Sequence, residues 1–416
     1  MILPLLAYKS LRSRTVTTAL TVFSIALSVF LLVGVDRVRE GTQKGFEGTL
    51  SHVDLLVGAR AGSLPLLLYS VFHIGTGSND ISYDSYEHFK NHPAVKWTIP
   101  FSLGDSFHGY RVVATDDNFY EHYQYRGGQA IHIEQGTRAD GIFDAVLGSD
   151  VAKNLGYRVG QKMVLTHGIE GSFLEHKDNP YTVVGILAPT STPVDHAIYI
   201  TLYGEEAMHL GWEHGAPPLE AVPASQIRKE DLHITQISSF LLATKSRIST
   251  LQLQREIDNY KQEPLTAIIP AVALEDLWGV LNYADVALSL VSAAVLIVGL
   301  LAMLTAIYTA LNERRHEIAI LRSIGLHRRQ IFGLFVLEST FVSAAGVVSG
   351  LSALYLLLFL LHGFIEQRFG IPLAVVGLSA RVEIYIAIIV LAGAILGLLP
   401  GIRAYRNALI DGLTST

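Results

Sequence analysis

Residues 312–332 read NERRHEIAILRSIGLHRRQIF, with five arginines and two glutamates. On one side lies Val286–Leu311, 26 residues without a charge; on the other lies Ile331–Ile365, interrupted only by Glu338 and His362. Two more apolar runs complete the pattern: Thr15–Val35, 21 residues, and Ile384–Ile402, 19 residues, neither of which carries a charge. A helix of about 20 apolar residues spans a bilayer, so four crossings follow. Half of the 416 residues are hydrophobic and 16% are charged, which also points to a membrane protein. The expected fold is four transmembrane α-helices with a large α+β extracytoplasmic domain inserted between the first and second.

The boundaries read as an interfacial segment 1–14, spans at 15–35, 285–311, 331–361 and 383–402, an extracytoplasmic region 36–284, a charged elbow 312–330, a short loop 362–382 and a tail 403–416. Lys9, Arg12, Arg14, the five elbow arginines, Arg403 and Arg406 fall on one side of these spans. Only Arg368 and Arg381 occupy the short loop opposite. Basic residues in short loops resist export, so both termini and the elbow are expected in the cytoplasm and residues 36–284 in the periplasm. Residues 37–284 hold 19 Lys/Arg against 29 Asp/Glu, which argues against a nucleic-acid surface. The first span exceeds the apolar core of a signal peptide and no A-x-A site follows it, so it is expected to stay as an anchor. With no cysteine, neither disulfides nor thiolate metal sites arise.

Five arginines are too costly to bury, so 312–330 leaves the bilayer. Ile318, Leu321, Ile324 and Leu326 recur at near-helical spacing with Glu317, Arg322 and the Arg pairs between them, which predicts an amphipathic elbow. By pattern alone it is equally a lipid-surface anchor or a docking site for a cytoplasmic partner. Gly346 and Gly350, and Gly393, Gly397 and Gly401, repeat at four-residue spacing. These faces are candidates for close helix or subunit contacts, against the general tolerance of glycine in membrane helices. Glu338, an acid seven residues into the third span, should face protein or water, with an elbow arginine as a candidate partner.

In the ectodomain, Ser149 is expected to cap a short helix over Asp150–Leu155 that ends at a left-handed Gly156. Strands are expected over Arg158–Thr166 and Tyr181–Leu187. Val35, Val38, Phe46 and Leu50 keep a helical spacing beyond the first span. Pro217, Pro218 and Pro223 mark a surface loop, and strand-like sequence resumes at Leu232. His88 and His92, four residues apart, are weak candidates for metal ligands on one helix face, although Pro93 limits any helix there. Neither a G-x-S-x-G elbow nor an H-E-x-x-H pair organises the scattered Ser, His and Asp, so catalysis by this chain is not expected.

The run ERRHEIAILRSIGLHRRQIFGLFVLES resembles an element of MacB-, Lol- and FtsX-type ABC transporter permeases. AYKSLRSRTVTTALTVFSIALSVFLLV resembles their opening helix, and LGSDVAKNLGYRVGQKMVL with YTVVGILAPTSTPVDHAIYI resembles their extracytoplasmic domain. The resemblance implies a permease driven by a cytoplasmic ATPase that engages Glu313, Arg314, Arg315, Glu317, Ile318, Leu321, Arg322, Ile324 and Gly325. It implies transmission of ATP-driven motion to a periplasmic domain acting on an efflux, lipoprotein or peptide cargo. It further implies a second permease copy, most simply a homodimer with a heterodimer as runner-up, in the inner membrane, and a periplasmic adaptor, lipoprotein or cargo protein as partner. The membrane-proximal, porter-like part would contain the segment from Ser149 onward, with a lobe inserted around 100–235. No G-x-x-x-x-G-K-[ST] loop is present, the nearest run being GYRVGQKM at 156–163, so ATP and Mg are expected on a separate ATPase and no cofactor on this chain. The alternatives are a permease of a metal-related import or export system with a His-containing periplasmic domain, and a membrane-anchored scaffold without ATP drive.

Overall fold

The computed structural model describes residues 14–75, 77, 79–167, 179–211, 223–313, 327–369 and 380–410, with Ala7, Leu11 and Arg12. In chain order the principal elements are α1 (Thr15–Glu47), β1 (Leu55–Ala59), α2 (Ser63–Ser70), α3 (Tyr83–Lys90), β2 (Val95–Phe107), β3 (Tyr110–Thr115) and α4 (Asp117–His122). They continue with β4 (Ile133–Gly136), β5 (Asp144–Leu147), α5 (Ser149–Leu155), β6 (Tyr181–Leu187), β7 (Ala197–Thr201) and α6 (Leu202–Met208). Last come β8 (Ser239–Thr244), α7 (Arg247–Asp258), β9 (Leu265–Ile268), α8 (Pro270–Glu313), α9 (Arg328–Phe369) and α10 (Ala380–Ile410).

The helices α1, α8, α9 and α10 are each long and apolar enough to cross a membrane. A helix satisfies its own backbone, which a lipid-exposed loop cannot do. Each runs beyond the charge-free stretch that marks it in the sequence. At 1.5 Å per residue the 33 residues of α1 extend about 50 Å, well past a hydrocarbon core of about 30 Å. Its polar continuation is supported by local pairs: Arg37 Nη1 lies 3.0 Å from Glu40, and Gln43 Nε2 donates to Glu47 at 2.8 Å. Pro270, whose missing N–H costs nothing at a first helical position, opens α8. The chain divides into two compact units, one of Met1–Thr42, Asn282–Ile365 and Leu373–Thr416 and the other of Gln43–Leu281 with Glu366–Pro372.

The second unit is built on one sheet, in the order β9-β1-β8-β2-β3-β7-β5-β6-β4. Both faces are buried, so successive side chains of one strand enter different cores. Phe240 and Leu242 of β8 pack with Tyr86 and Phe89 of α3 and with Leu253 and Ile257 of α7. Leu241 between them packs with Leu66 and Leu67 of α2 and Phe119 of α4. Each such large side chain contributes about 1.5–3 kcal/mol on burial.

The strand β2 serves two neighbours. Its first half pairs with β8, from Val95↔Thr244 to Phe101↔Ser239, and its second half with β3, from Ser102↔Ala114 to Phe107↔Tyr110, with a register shift between Leu103 and Ser106. The half-sheet β9-β1-β8-β2 is the one joined in sequence to α1 and α8. Residues 144–201 supply β5, β6 and β7 of the other half.

Two local expectations change. Gly148, and not Ser149, is the N-cap of α5, in an extended conformation without a side-chain cap bond. A Cβ at Gly148 would stand 2.6 Å from the carbonyl oxygen of Val194, so the 193–196 turn leaves room there only for glycine. The strand expected over 158–166 is reduced to two short pairings: Lys162–Met163 with Thr182–Tyr181, and Thr166–His167 with Ser106–Asp105. Gly160, at φ +92°, turns the chain and donates its N–H to Val183 before any long ladder can form.

Candidate functional site

Most of the elbow, including Arg314, Arg315, Glu317, Ile318, Leu321, Arg322, Ile324 and Gly325, lies outside the described residues. Glu313 closes α8. His327 precedes α9, its carbonyl accepting from Gln330 N at 2.9 Å while its N–H donates to Gln330 Oε1 at 2.7 Å. That reciprocal pair is the backbone half of a capping box and gives the helix a defined start.

The glycines of α9 and α10 sit where helices meet. A Cβ at Gly346 would stand 2.6 Å from Ile25 Cγ2, and one at Gly350 would stand 2.5 Å from the Ala26 carbonyl oxygen and 3.0 Å from Val29 Cβ. Gly346 and Gly350 thus let α9 lie directly on α1. Gly393 and Gly397 do the same for α10 on α9, with Ser343 Cβ at 2.8 Å and Phe335 O at 3.0 Å from the respective added carbons. The surroundings of Gly401 are outside the described side chains. On α8, Gly299 meets Ser28 of α1, whose hydroxyl also donates to Val295 O at 3.1 Å. Close backbone approach and hydroxyl bonds are what bind helices in lipid, where apolar burial between helices gains little. These contacts occupy both glycine pairs within one chain. Glu338 is buried at 7% exposure in the same unit.

A polar collar, not singled out from the sequence, surrounds the far end of the α1 span. Asp36 faces Arg381 of α10 at 3.3 Å, Arg37 donates to Tyr355 Oη of α9 at 3.2 Å, and Arg39 lies 2.6 Å from Asp285 of α8. Three closely spaced residues of one helix therefore reach its three neighbours. The run DRVRE directly after an apolar span was the available signal; its partners are remote in sequence.

In the ectodomain, α3 ends at Lys90 with Asn91 as its C-cap, so His88 and His92 do not share a helix face. The His88 ring packs on Phe89 and Tyr260 with centroids 5.0 and 5.3 Å away. His92 instead accepts from Ala94 N at 3.2 Å and faces Glu256 at 3.5 Å. Among the described residues no three His, Asp or Glu side chains are placed to hold a metal ion. The carboxylate of Asp195 is taken up by the turn before it, accepting from Thr190 N, Thr190 Oγ1 and Ser191 N at 2.6–2.9 Å.

One titratable cluster stands out. The Nε2 of His209, the C-cap of α6, lies 3.4 Å from Asp105 Oδ2 on β2, and its Nδ1 lies 3.0 Å from the Glu205 carbonyl and 3.6 Å from Glu205 Oε1. Asp105 is 1% exposed. Burial pushes Glu205 up to about 7, opposed by the nearby His209 and reinforced by Asp105. Burial works against the His209 charge, but the Asp105 and Glu205 acceptors outweigh it and raise the imidazole to about 9.

Residues 18–260, more than half of the chain, match the MacB-like periplasmic core domain, and residues 289–409 match the FtsX-like permease C-terminal domain. The pyoverdine export ATP-binding/permease protein PvdT of Pseudomonas fluorescens (strain Pf0-1) is 22% identical over 411 residues, covering 96% of this chain and 57% of that protein. Its counterpart in the strain ATCC BAA-477 / NRRL B-23932 / Pf-5 is 23% identical over 419 residues with the same coverages. The chain thus spans 57% of the length of these relatives. The periplasmic region of MacB from Actinobacillus actinomycetemcomitans aligns over 55% of this chain and 94% of that one, with 9% identity and a TM-score of 0.34. The extracellular domain of the noncanonic ABC-type transporter YknZ from Gram-positive bacteria aligns over 52% and 99%, with 10% identity and a TM-score of 0.30.

Proposed function

The chain belongs to the MacB- and FtsX-type ABC transporter permeases, and from that premise we propose that it transmits the motion of a cytoplasmic ATPase to its periplasmic domain. The observation that carries the reading is the order of parts: a MacB-like domain between the first and second of four membrane helices, and an FtsX-like segment over the other three. ATP hydrolysis, with its ATP and Mg, is assigned to an ABC ATPase outside these 416 residues, which contain no phosphate loop. Two permease copies would complete the assembly. The relatives' name supports export as the direction and an efflux cargo as the class.

Coupling is assigned to the elbow. Ile318, Leu321 and Ile324 would enter an apolar groove of the ATPase, ringed by charge-assisted contacts from Glu313, Arg314, Arg315, Glu317 and Arg322, and Gly325 would turn the chain toward α9. The test compares Ile324→Asp with Arg328→Gln in membranes where both insert normally. Ile324→Asp is expected to abolish ATPase association and Arg328→Gln to leave it nearly intact. If the ATPase binds and is stimulated equally in both, the elbow is a topology anchor. A cytoplasmic reporter after Thr416 and a periplasmic reporter near Asp178 should both be active; the opposite pattern would overturn the orientation and the function with it.

A further inference from the structure

We propose that Asp105, Glu205 and His209 form a proton-operated latch that fastens α6 to β2, so that the ectodomain lobe holds α6 firmly in acid and releases it in alkali. The inference is independent of the transport reading and rests on geometry. Both ring nitrogens of His209 face oxygen acceptors, Asp105 Oδ2 on one side and the Glu205 carbonyl and carboxylate on the other. A neutral imidazole has one N–H and would leave one acceptor facing a lone pair, whereas the imidazolium donates to both. The position reinforces this, because a cation at a helix C-terminus meets the negative end of the helix dipole. The Glu205 carboxyl also lies near Asp105 in a place of low exposure, which favours a proton on Glu205.

Glu206, on the same helix, is raised by burial and feels His209 and His233, and Tyr181 of β6 faces Asp105 and Glu205 while donating its hydroxyl to Gly204 O at 2.6 Å. Ser102 of β2 donates to Glu205, Tyr69 of α2 feels it, and His167 sits opposite Asp105 across the strand pair.

The sign of the linkage follows. A raised His209 stabilises docking fully below its free value of 6.5 and loses that contribution as pH climbs to about 9. A raised Glu205 means that docking favours the protonated acid, so docking weakens as pH rises from 4.5 to about 7. The two effects have the same direction, and docking of α6 takes up protons throughout the interval.

Hydrogen exchange of the full-length chain in lipid nanodiscs, at about pH 5.5, 7 and 8.5 and corrected for the hydroxide dependence of intrinsic exchange, tests this. The opening of the 202–209 amides should increase about tenfold or more across the series, while amides of β1 and β8 stay level. His209→Gln should flatten the upper half of that profile and Glu205→Gln the lower half. A flat wild-type profile overturns the latch, as does an unchanged slope in both variants. If a variant does not fold, the wild-type profile decides: an increase confined to 202–209 supports the latch, and a uniform increase across the lobe overturns it.

Discussion

Gly350 presents a bare Cα to the carbonyl oxygen of Ala26, so near that a Cβ there would stand 2.5 Å from it. The obstacle is backbone, which cannot swing aside as a side chain can. Gly350→Ala should force α9 off α1 and cost about 1–3 kcal/mol, read as a lowered melting temperature in nanodiscs. Gly363→Ala on the same helix meets nothing within 4 Å and should be neutral or slightly stabilising.

The collar should show pairwise coupling. Asp36→Arg and Arg381→Asp are each expected to destabilise, and the double exchange to recover most of the loss. Arg381 is 52% exposed, so that coupling should be about 0.5 kcal/mol and screened by salt. Arg39 and Asp285, closer at 2.6 Å and with the less exposed arginine, should couple by about 1 kcal/mol. Double-mutant cycles on thermal stability measure both.

Gly156 stands at φ +72° with open space around it, so its replacement tests backbone strain alone. Gly156→Ala should cost about 1 kcal/mol and Gly156→Asn less, because asparagine tolerates the left-handed region better. Equal stability of glycine and alanine variants would show that α5 ends by another route.

Asp116 caps α4 by accepting from Asn118 N at 3.1 Å, and burial raises its carboxyl to about 6, against a smaller pull from Lys90. The folded protein therefore holds this proton more tightly than the unfolded chain, and stability falls as pH rises from 3.8 through 6. Asp116→Asn keeps a capping oxygen and removes the charge. It should be more stable than wild type above pH 6 by about 1 kcal/mol, with no difference near pH 4, as read from melting curves across that range.

The four membrane helices were legible because a charge-free run long enough to span lipid has few other uses. Gly156 was legible for a similar reason: a left-handed turn has a characteristic residue. Partner choice was not. The N-cap moved from Ser149 to Gly148 because the turn before His196 crowds Gly148, a tertiary fact. His88 and His92 have the spacing of one helix face, but the helix stops between them at Lys90. The collar is written in DRVRE, yet nothing local pairs Asp36 with Arg381. Likewise Asp105 and His209 are ordinary residues until the lobe folds and sets them 3.4 Å apart.

The strand β1 lies between β8 and β9, with Leu56 opposite Leu241 on one side and Ile268 on the other. Its nearer partner emerges roughly 180 residues later in the chain. At a synthesis rate of about 5–20 residues per second, an exported β1 waits roughly ten to forty seconds with both edges unpaired. Exposed strand edges are templates for aggregation. The interval in which the newborn domain needs shelter is therefore set by the ribosome, and not by how fast the sheet zips once both strands are out.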